Sequence, residues 1–250
     1  MENIKSLESP DLENIVAKFS PFLGEVRKRV YTTLSVFAIV TIVGFTFYED
    51  IIRFLISMLS LKGINIVFTS PFQFINLAIA CGVASGLIIV FPLIIFQIMS
   101  FLKPALKNKE FKMIVRFLPF SALLFLIGFS FGAAIMKWQI QIFLARSVSI
   151  GIGNILDISQ LLTTVLLTSC LMGIGFQFPI ILLLLMRMGV IKHHQLNKQR
   201  GWVYLGSFVF SMLLPPDSIL ADILLTLPLV ILFELTLILN NILERKNVDE

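Results

Sequence analysis

The forty residues 63-GINIVFTSPFQFINLAIACGVASGLIIVFPLIIFQIMSFL-102 contain no Asp, Glu, Lys or Arg. A helix crosses the ~30 Å hydrocarbon core of a bilayer with about 20 apolar residues. The stretch is therefore too apolar to sit in water and too long for one crossing. Ser70-Pro71-Phe72 divides it. Proline has no backbone N–H to lose at the first turn of a helix and presets its φ there. A spanning helix is predicted over 72–101, preceded by a segment outside the membrane.

Working outward, the other charge-poor windows predict helices over 30–47, 117–136, 158–186, 202–214 and 223–243. The window 202–214 is stopped by Pro215-Pro216-Asp217, and at 1.5 Å per residue it reaches only about 20 Å. Two prolines followed by Asp and Ser suit a tight turn with a ready N-cap. The last two helices thus read as a short hairpin. The expected fold is all-α: one membrane-embedded domain over 1–250 with six transmembrane helices and a polar segment, 1–29, ahead of the first. No glycine-, serine- or proline-rich linker divides it.

Composition agrees, with 57% apolar and 14% charged residues, against about 25% charged in soluble domains. Sixteen of the 20 Lys and Arg residues fall on one side of this topology; Arg53, Lys62, Lys137 and Arg146 fall on the other. Cytoplasmic loops carry the cationic excess, so both termini are expected inside. The net charge of +5 is scattered among short loops, which argues against nucleic acid as a partner. Residues 1–20 show no apolar signal-peptide core, so the first helix is expected to be retained and to direct insertion. Cys81 and Cys170 lie in apolar stretches and read as small buried residues.

Little in the chain suggests catalysis. Gly151 and Gly153 are not followed by the Lys-Ser/Thr of a phosphate-binding loop, and no G-x-S-x-G elbow occurs. His193 and His194 are adjacent in a basic loop, without a carboxylate or thiol at ligand spacing. No cofactor, metal or enzymatic activity is expected. Two carboxylates outside the membrane stand out, Glu25 and Glu110, each among basic residues. Each could simply offset its lysines, or each could accept two parallel hydrogen bonds from a ligand guanidinium. Two polar residues lie inside predicted spans, Gln177 and Glu234. A carboxylate at membrane depth marks a functional site unless a partner or the interface relieves it. Gln177 reads equally as an interhelical hydrogen bond that holds the bundle.

Taken in order, these segments resemble the TatC family, the polytopic subunit of twin-arginine protein translocases. The stretch Phe22-Leu23-Gly24-Glu25-Val26-Arg27-Lys28-Arg29-Val30 is similar to the family's segment before its first helix. Phe101, Pro104, Ala105, Leu106 and Glu110 are similar to its first cytoplasmic loop, and Ser70-Pro71-Phe72 to the entry into its second helix. Leu124, Phe125, Gly128 and Phe131 follow the third-helix pattern, and Phe176, Phe178 and Pro179 the fourth. Pro215-Pro216-Asp217, then Pro228 and Phe233-Glu234, follow the closing hairpin. The chain departs from the family in four places. Phe22 replaces the leading His, Gln177 a fourth-helix Glu, and Leu214 a Thr, while Ala221-Asp222 stand near the place of a Ser-Gln pair.

The resemblance implies a signal-peptide receptor that exports folded proteins using the proton-motive force. Glu25 and Glu110 would grip the two arginines of the cargo's signal, with Arg27, Phe101, Pro104 and Leu106 shaping the site. Single-span partners of the TatA/TatB type, a homo-oligomeric assembly and a bacterial inner membrane are implied with it. The Gln177 change removes a group that could titrate. A proton-coupled solute transporter using Gln177 and Glu234 is the alternative, but it predicts internal repeats, and none stands out. An intramembrane enzyme would need a catalytic constellation within the spans, where no histidine lies.

Overall fold

Pro10–Thr46 forms the first helix, α1, and Tyr48–Leu59 the second, α2. A three-residue strand, β1 (Asn65–Val67), precedes α3 (Pro71–Leu102), and α4 is Asn108–Ser149. Strand β2 (Ile155–Asp157) leads into α5 (Ile158–Gly175) and α6 (Phe178–Arg187). Helices α7 (His193–Lys198), α8 (Arg200–Met212) and α9 (Ile219–Val248) close the chain. The structure is a computed structural model that describes residues 10–59, 65–67, 70–102, 108–149, 155–187, 189–191, 193–215 and 218–248.

Apart from one parallel ribbon, in which β1 pairs with β2, the described chain is helical and loop. Among the described residues, five helical segments are long and apolar enough to cross a membrane: Gly24–Thr46, Pro71–Ile98, Pro119–Ser147, Ile158–Met186 and Ile219–Asn241. The expected fifth helix, 202–214, corresponds to α8, whose 13 residues reach about 20 Å, short of a bilayer core, and the expected sixth, 223–243, lies in α9. The expectation that the last helix is also short is corrected. Helix α9 runs for 30 residues, because Pro228 lies within the helix rather than ending it and the polar turns after Asn240 remain helical. Spanning helices tolerate proline where neighbours satisfy the freed carbonyl.

Several helices outrun their apolar windows. Helix α1 begins 20 residues before the expected 30–47 span, and α4 has 42 residues where 117–136 was expected. Hydropathy locates the lipid, not the helix end, and polar residues continue a helix into the interface. The window 158–186 holds two helices, with a turn at Phe176-Gln177. Pro179 cannot donate to the Gly175 carbonyl and its ring crowds that position, so α5 ends there and α6 starts anew.

Close backbone approach replaces the hydrophobic effect as the packing force in lipid. Helix α3 carries Gly82 and Gly86 one turn apart, and a Cβ on Gly82 would lie 2.7 Å from the Thr41 carbonyl of α1. Helix α4 repeats the device with Gly128 and Gly132 against α5; a Cβ on Gly132 would lie 2.9 Å from Cα of Ser169. Around these seams sit three buried clusters. One joins Leu55 and Leu59 of α2 to Leu77, Cys81, Leu162 and Cys170. A second gathers Ile95, Leu124, Met172, Phe176, Leu225 and Leu229. The third holds Leu182, Met186, Leu196, Phe233 and Leu237. The outer faces are apolar, as lipid-facing surfaces are: Ile39, Phe54, Phe72, Trp202 and Ile219 are all exposed. The structure is that of a multi-pass membrane protein.

Helix α2 packs against α3 and α5 through Leu55 and Leu59. Lys137 Nζ of α4 donates to the Met58 carbonyl at 2.7 Å. Asp157 caps α5 by accepting from the backbone N–H of Ser159 and Gln160, and also accepts from Gln73 Nε2 at 2.6 Å. The β1–β2 ribbon and the start of α3 are tied together at this point.

Candidate functional site

Glu25 and Arg29 stand one turn apart on α1, so their side chains share a face. The Arg29 guanidinium donates from Nη2 to Glu25 Oε1. It also donates from Nη1 to the Gln97 carbonyl at 2.6 Å, and lies 5.4 Å from the centroid of the Phe101 ring. Arg29 thereby bolts α1 to the last turns of α3, and Thr33 Oγ1 adds a 2.7 Å bond to Gln97 Oε1. The Glu25 side chain is 50% exposed and that of Arg29 20%. An exposed i,i+4 pair contributes only about 0.3–0.5 kcal/mol, so the pair is easily opened. The contacts of Arg29 with α3 are better shielded and persist without it. Arg27 points elsewhere, with its guanidinium 5.5 Å from the Tyr31 ring centroid.

Below this pair a groove of 540 Å³ runs between α1 and α3. Its walls are Val26, Val30, Leu34 and Phe37 on one side and Leu87, Val90, Ile94 and Ile98 on the other. Polar groups are confined to Arg29, Thr33 and Gln97. A half-exposed carboxylate next to an apolar trough can receive a cation attached to an apolar chain.

Of the other sequence-predicted residues, Phe101 sits in the last turn of α3, and Glu110 in the first turn of α4 with its side chain outside the described residues. Pro104, Leu106, Pro216 and Asp217 lie outside the described residues. Pro71 opens α3, and Pro215 follows the end of α8.

The two intramembrane polar residues are both spoken for. Gln177 is fully buried in the turn between α5 and α6. Ser121 Oγ of α4 donates to its Oε1 at 2.6 Å, and its Nε2 donates to the carbonyls of Ser121 at 3.1 Å and Gly173 at 3.4 Å. It acts as an interhelical clamp across the break that Pro179 makes. Glu234 of α9 accepts from Tyr204 Oη at 2.5 Å and meets Arg200 Nη1 at 3.3 Å. Tyr204 and Arg200, both on α8, are partners that composition did not single out. So is Arg29, although its place four residues after Glu25 was a visible signal. Tyr204→Phe is expected to cost about 1 kcal/mol, read as a lower midpoint in an SDS unfolding titration, with Arg200 still paired to Glu234.

A second groove, of 400 Å³, is lined by Phe91, Gly175, Phe178, Val203, Phe210 and Leu229 beside the α5–α6 break. No charged group lines it among the described residues.

Residues 21–228 match the family described as Sec-independent protein translocase protein (TatC). The chain is 29% identical over 231 residues to the Sec-independent protein translocase protein TatCy of Bacillus subtilis (strain 168), covering 90% of this chain and 89% of that protein. It is 34% identical over 150 residues to the Sec-independent protein translocase protein TatC of Escherichia coli (strain K12), covering 60% of this chain and 58% of that one. Among solved structures, a crystal structure described as the twin arginine translocase receptor TatC in DDM superimposes with a TM-score of 0.77 at 26% identity. It covers 87% of this chain and 98% of that one.

Proposed function

Since the chain belongs to the TatC family of Sec-independent protein translocase proteins, we propose that it is the membrane receptor for twin-arginine signal peptides and the core subunit of that translocase. The whole chain serves as one membrane-embedded domain. The observation that carries this reading is the Glu25 carboxylate, half-exposed beside the apolar α1–α3 groove. One signal arginine binds Glu25. The other binds Glu110, in the first turn of α4. Pro104 and Leu106 belong to that connecting segment and shape the approach. Arg27, stacked near Tyr31, flanks it. The apolar stretch that follows the arginines lies in the groove.

The charge distribution supports a cytoplasmic position for this site and for both termini, because cytoplasmic segments carry the excess of Lys and Arg. Two of the minority cations are near each other in the fold, where Lys137 meets α2, the helix that carries Arg53. Single-span partners of the TatA/TatB type dock on the exposed apolar faces of α8 and α9, several copies assemble, and the membrane is a bacterial inner membrane. Transport draws on the transmembrane potential, worth about 2.3 kcal/mol per charge per 100 mV. Gln177, neutral and fully bonded, carries no proton in that step.

The test is export in a cell that lacks its own translocase subunit of this kind. A folded reporter bearing a twin-arginine signal should leave the cytoplasm when this chain is supplied with its single-span partners. An uncoupler, or replacement of both arginines in the signal, should stop it. Export indifferent to both would refute the reading.

A further inference from the structure

Contacts at its two ends fix the course of α2. At its start the Tyr48 ring meets the Phe74 ring of α3 edge-on, with centroids 5.2 Å apart. Near its end the Met58 carbonyl accepts from Lys137 of α4. Helix α5 relates that lysine to α3. Helices α4 and α5 run in opposite directions with Gly132 against Ser169, so Lys137, five residues later, stands opposite Thr164, five residues earlier. Helices α5 and α3 run in the same direction, with Cys170 Sγ 3.9 Å from the Ala84 carbonyl and Asp157 bonded to Gln73. Six residues back on both, Thr164 stands level with Ala78. The ends of α2 therefore lie level with Phe74 and Ala78, four residues or about 6 Å apart along α3. A helix of 12 residues is about 18 Å long. It runs across the spanning helices rather than along them, roughly 5–10 Å below the start of α3 at Pro71.

We propose that α2 is an interfacial helix, seated in the leaflet opposite the Glu25 site, with one side in the acyl chains and another among zwitterionic phospholipid headgroups. Three sides of the helix carry the proposal. Leu55 and Leu59 are buried against the bundle. Phe47, Ile51, Phe54 and Met58 follow one another at helical spacing, because the Ile51 N–H donates to the Phe47 carbonyl and keeps the helical register through the bend. Of these, Phe47 and Phe54 are 58% and 62% exposed. The stripe continues the exposed side of the α1 span, where Val43 lies one turn before Phe47, so the lipid that covers α1 also meets α2. The third side carries Glu49, Asp50, Arg53 and Ser57, all exposed. Its charges have both signs, and Arg53 and Glu49 stand 3.6 Å apart. Such a face suits the paired phosphate and ammonium of a zwitterionic headgroup better than a purely anionic surface, which draws clusters of Lys and Arg. An interfacial helix sinks its apolar side about 5–10 Å into the headgroup boundary, the depth at which α2 meets α3.

The experiment uses the full chain in phosphatidylcholine nanodiscs, which leave both membrane faces open to solutes. A nitroxide is attached to Phe47→Cys, Phe54→Cys, Asp50→Cys or Ser57→Cys. The native Cys81 and Cys170 are fully buried, and wild type treated with the same reagent supplies the background. Spin relaxation by oxygen, which concentrates in acyl chains, is compared with relaxation by a neutral nickel chelate, which stays in water. The ratio of oxygen to nickel effect is expected to be several-fold higher at positions 47 and 54 than at 50 and 57. Phe47→Cys decides the matter if Phe54→Cys does not elute as a monodisperse protein. A nickel effect at 47 and 54 equal to that at 57 would place α2 in water. Positions 47 and 54 closed to both reagents would mean that a protein surface, such as a second copy of the chain, covers the stripe. Either result overturns the proposal.

Discussion

Gly132→Leu is expected to abolish recovery of a monodisperse, folded protein. Helices α4 and α5 meet along Gly128 and Gly132. A Cβ at position 132 would stand 2.9 Å from Cα of Ser169, 3.1 Å from Cβ of Met172 and 3.1 Å from the Thr168 carbonyl. Two of these neighbours are main-chain atoms that cannot rotate away, so a larger side chain must separate the helices. Overpacking in a well-filled core costs about 1–3 kcal/mol per modest insertion and more where the backbone must shift. Separation would also open the bonds between Ser121 of α4 and Gln177 in the turn that follows α5. Gly132→Ala should be an intermediate case, recoverable but less stable. A Cβ on Gly206, on α8, meets nothing within 4 Å, so Gly206→Ala should be harmless, or stabilising by up to about 1 kcal/mol. Size-exclusion profiles of the three variants read this directly.

The second large effect is expected at Gln177. In Gln177→Leu the buried Ser121 hydroxyl loses its acceptor and two carbonyls lose a donor. Each buried polar group left without a partner costs about 1–3 kcal/mol, and lipid supplies no substitute. The turn at Phe176-Gln177 already lacks a helical bond because of Pro179, so the loss falls on the weakest point of the spanning pair α5–α6. An SDS titration should show destabilisation of roughly 2–4 kcal/mol, on the same per-group scale. Ser121→Ala should cost less, because its backbone carbonyl still accepts from Gln177. The double variant should fall short of the sum, since the two residues share one interaction. Equal stability of Gln177→Leu and wild type would mean that the clamp has no mechanical role.

Much of this molecule was legible from charge-free windows, but unevenly. Helix α3 was readable almost to the residue because Pro71 opens it and Lys103 follows its end. The full reach of α1 and α4 was not, because a polar helix turn and a polar loop look alike to hydropathy. The α5–α6 break was written in Pro179, yet a continuous apolar run conceals a broken helix. Pro215-Pro216 suggested a short closing hairpin with Glu234 in its second helix. The structure instead keeps α9 long and supplies the carboxylate with Tyr204 and Arg200, partners 30 and 34 positions away that no local pattern reveals. At the candidate site Glu25 was visible as an acid among bases. Its engagement was not, because the Gln97 carbonyl and Phe101, which hold Arg29, come from α3, about 70 residues later in the chain. Neighbours in sequence suggested the ligand chemistry, and only tertiary packing showed that the carboxylate is already held.

The central claim is that Glu25 receives a signal arginine, and photo-crosslinking tests it most directly. A photoreactive residue placed at Val26, on the wall of the α1–α3 groove, would be irradiated in membranes with a twin-arginine signal peptide. A crosslink that forms with the arginine peptide, and is lost both with Glu25→Ala and when the peptide's arginines become lysines, is the predicted result. A crosslink of equal strength in all three cases would show that the peptide lies in the groove without its arginines being read by Glu25, and would contradict the account.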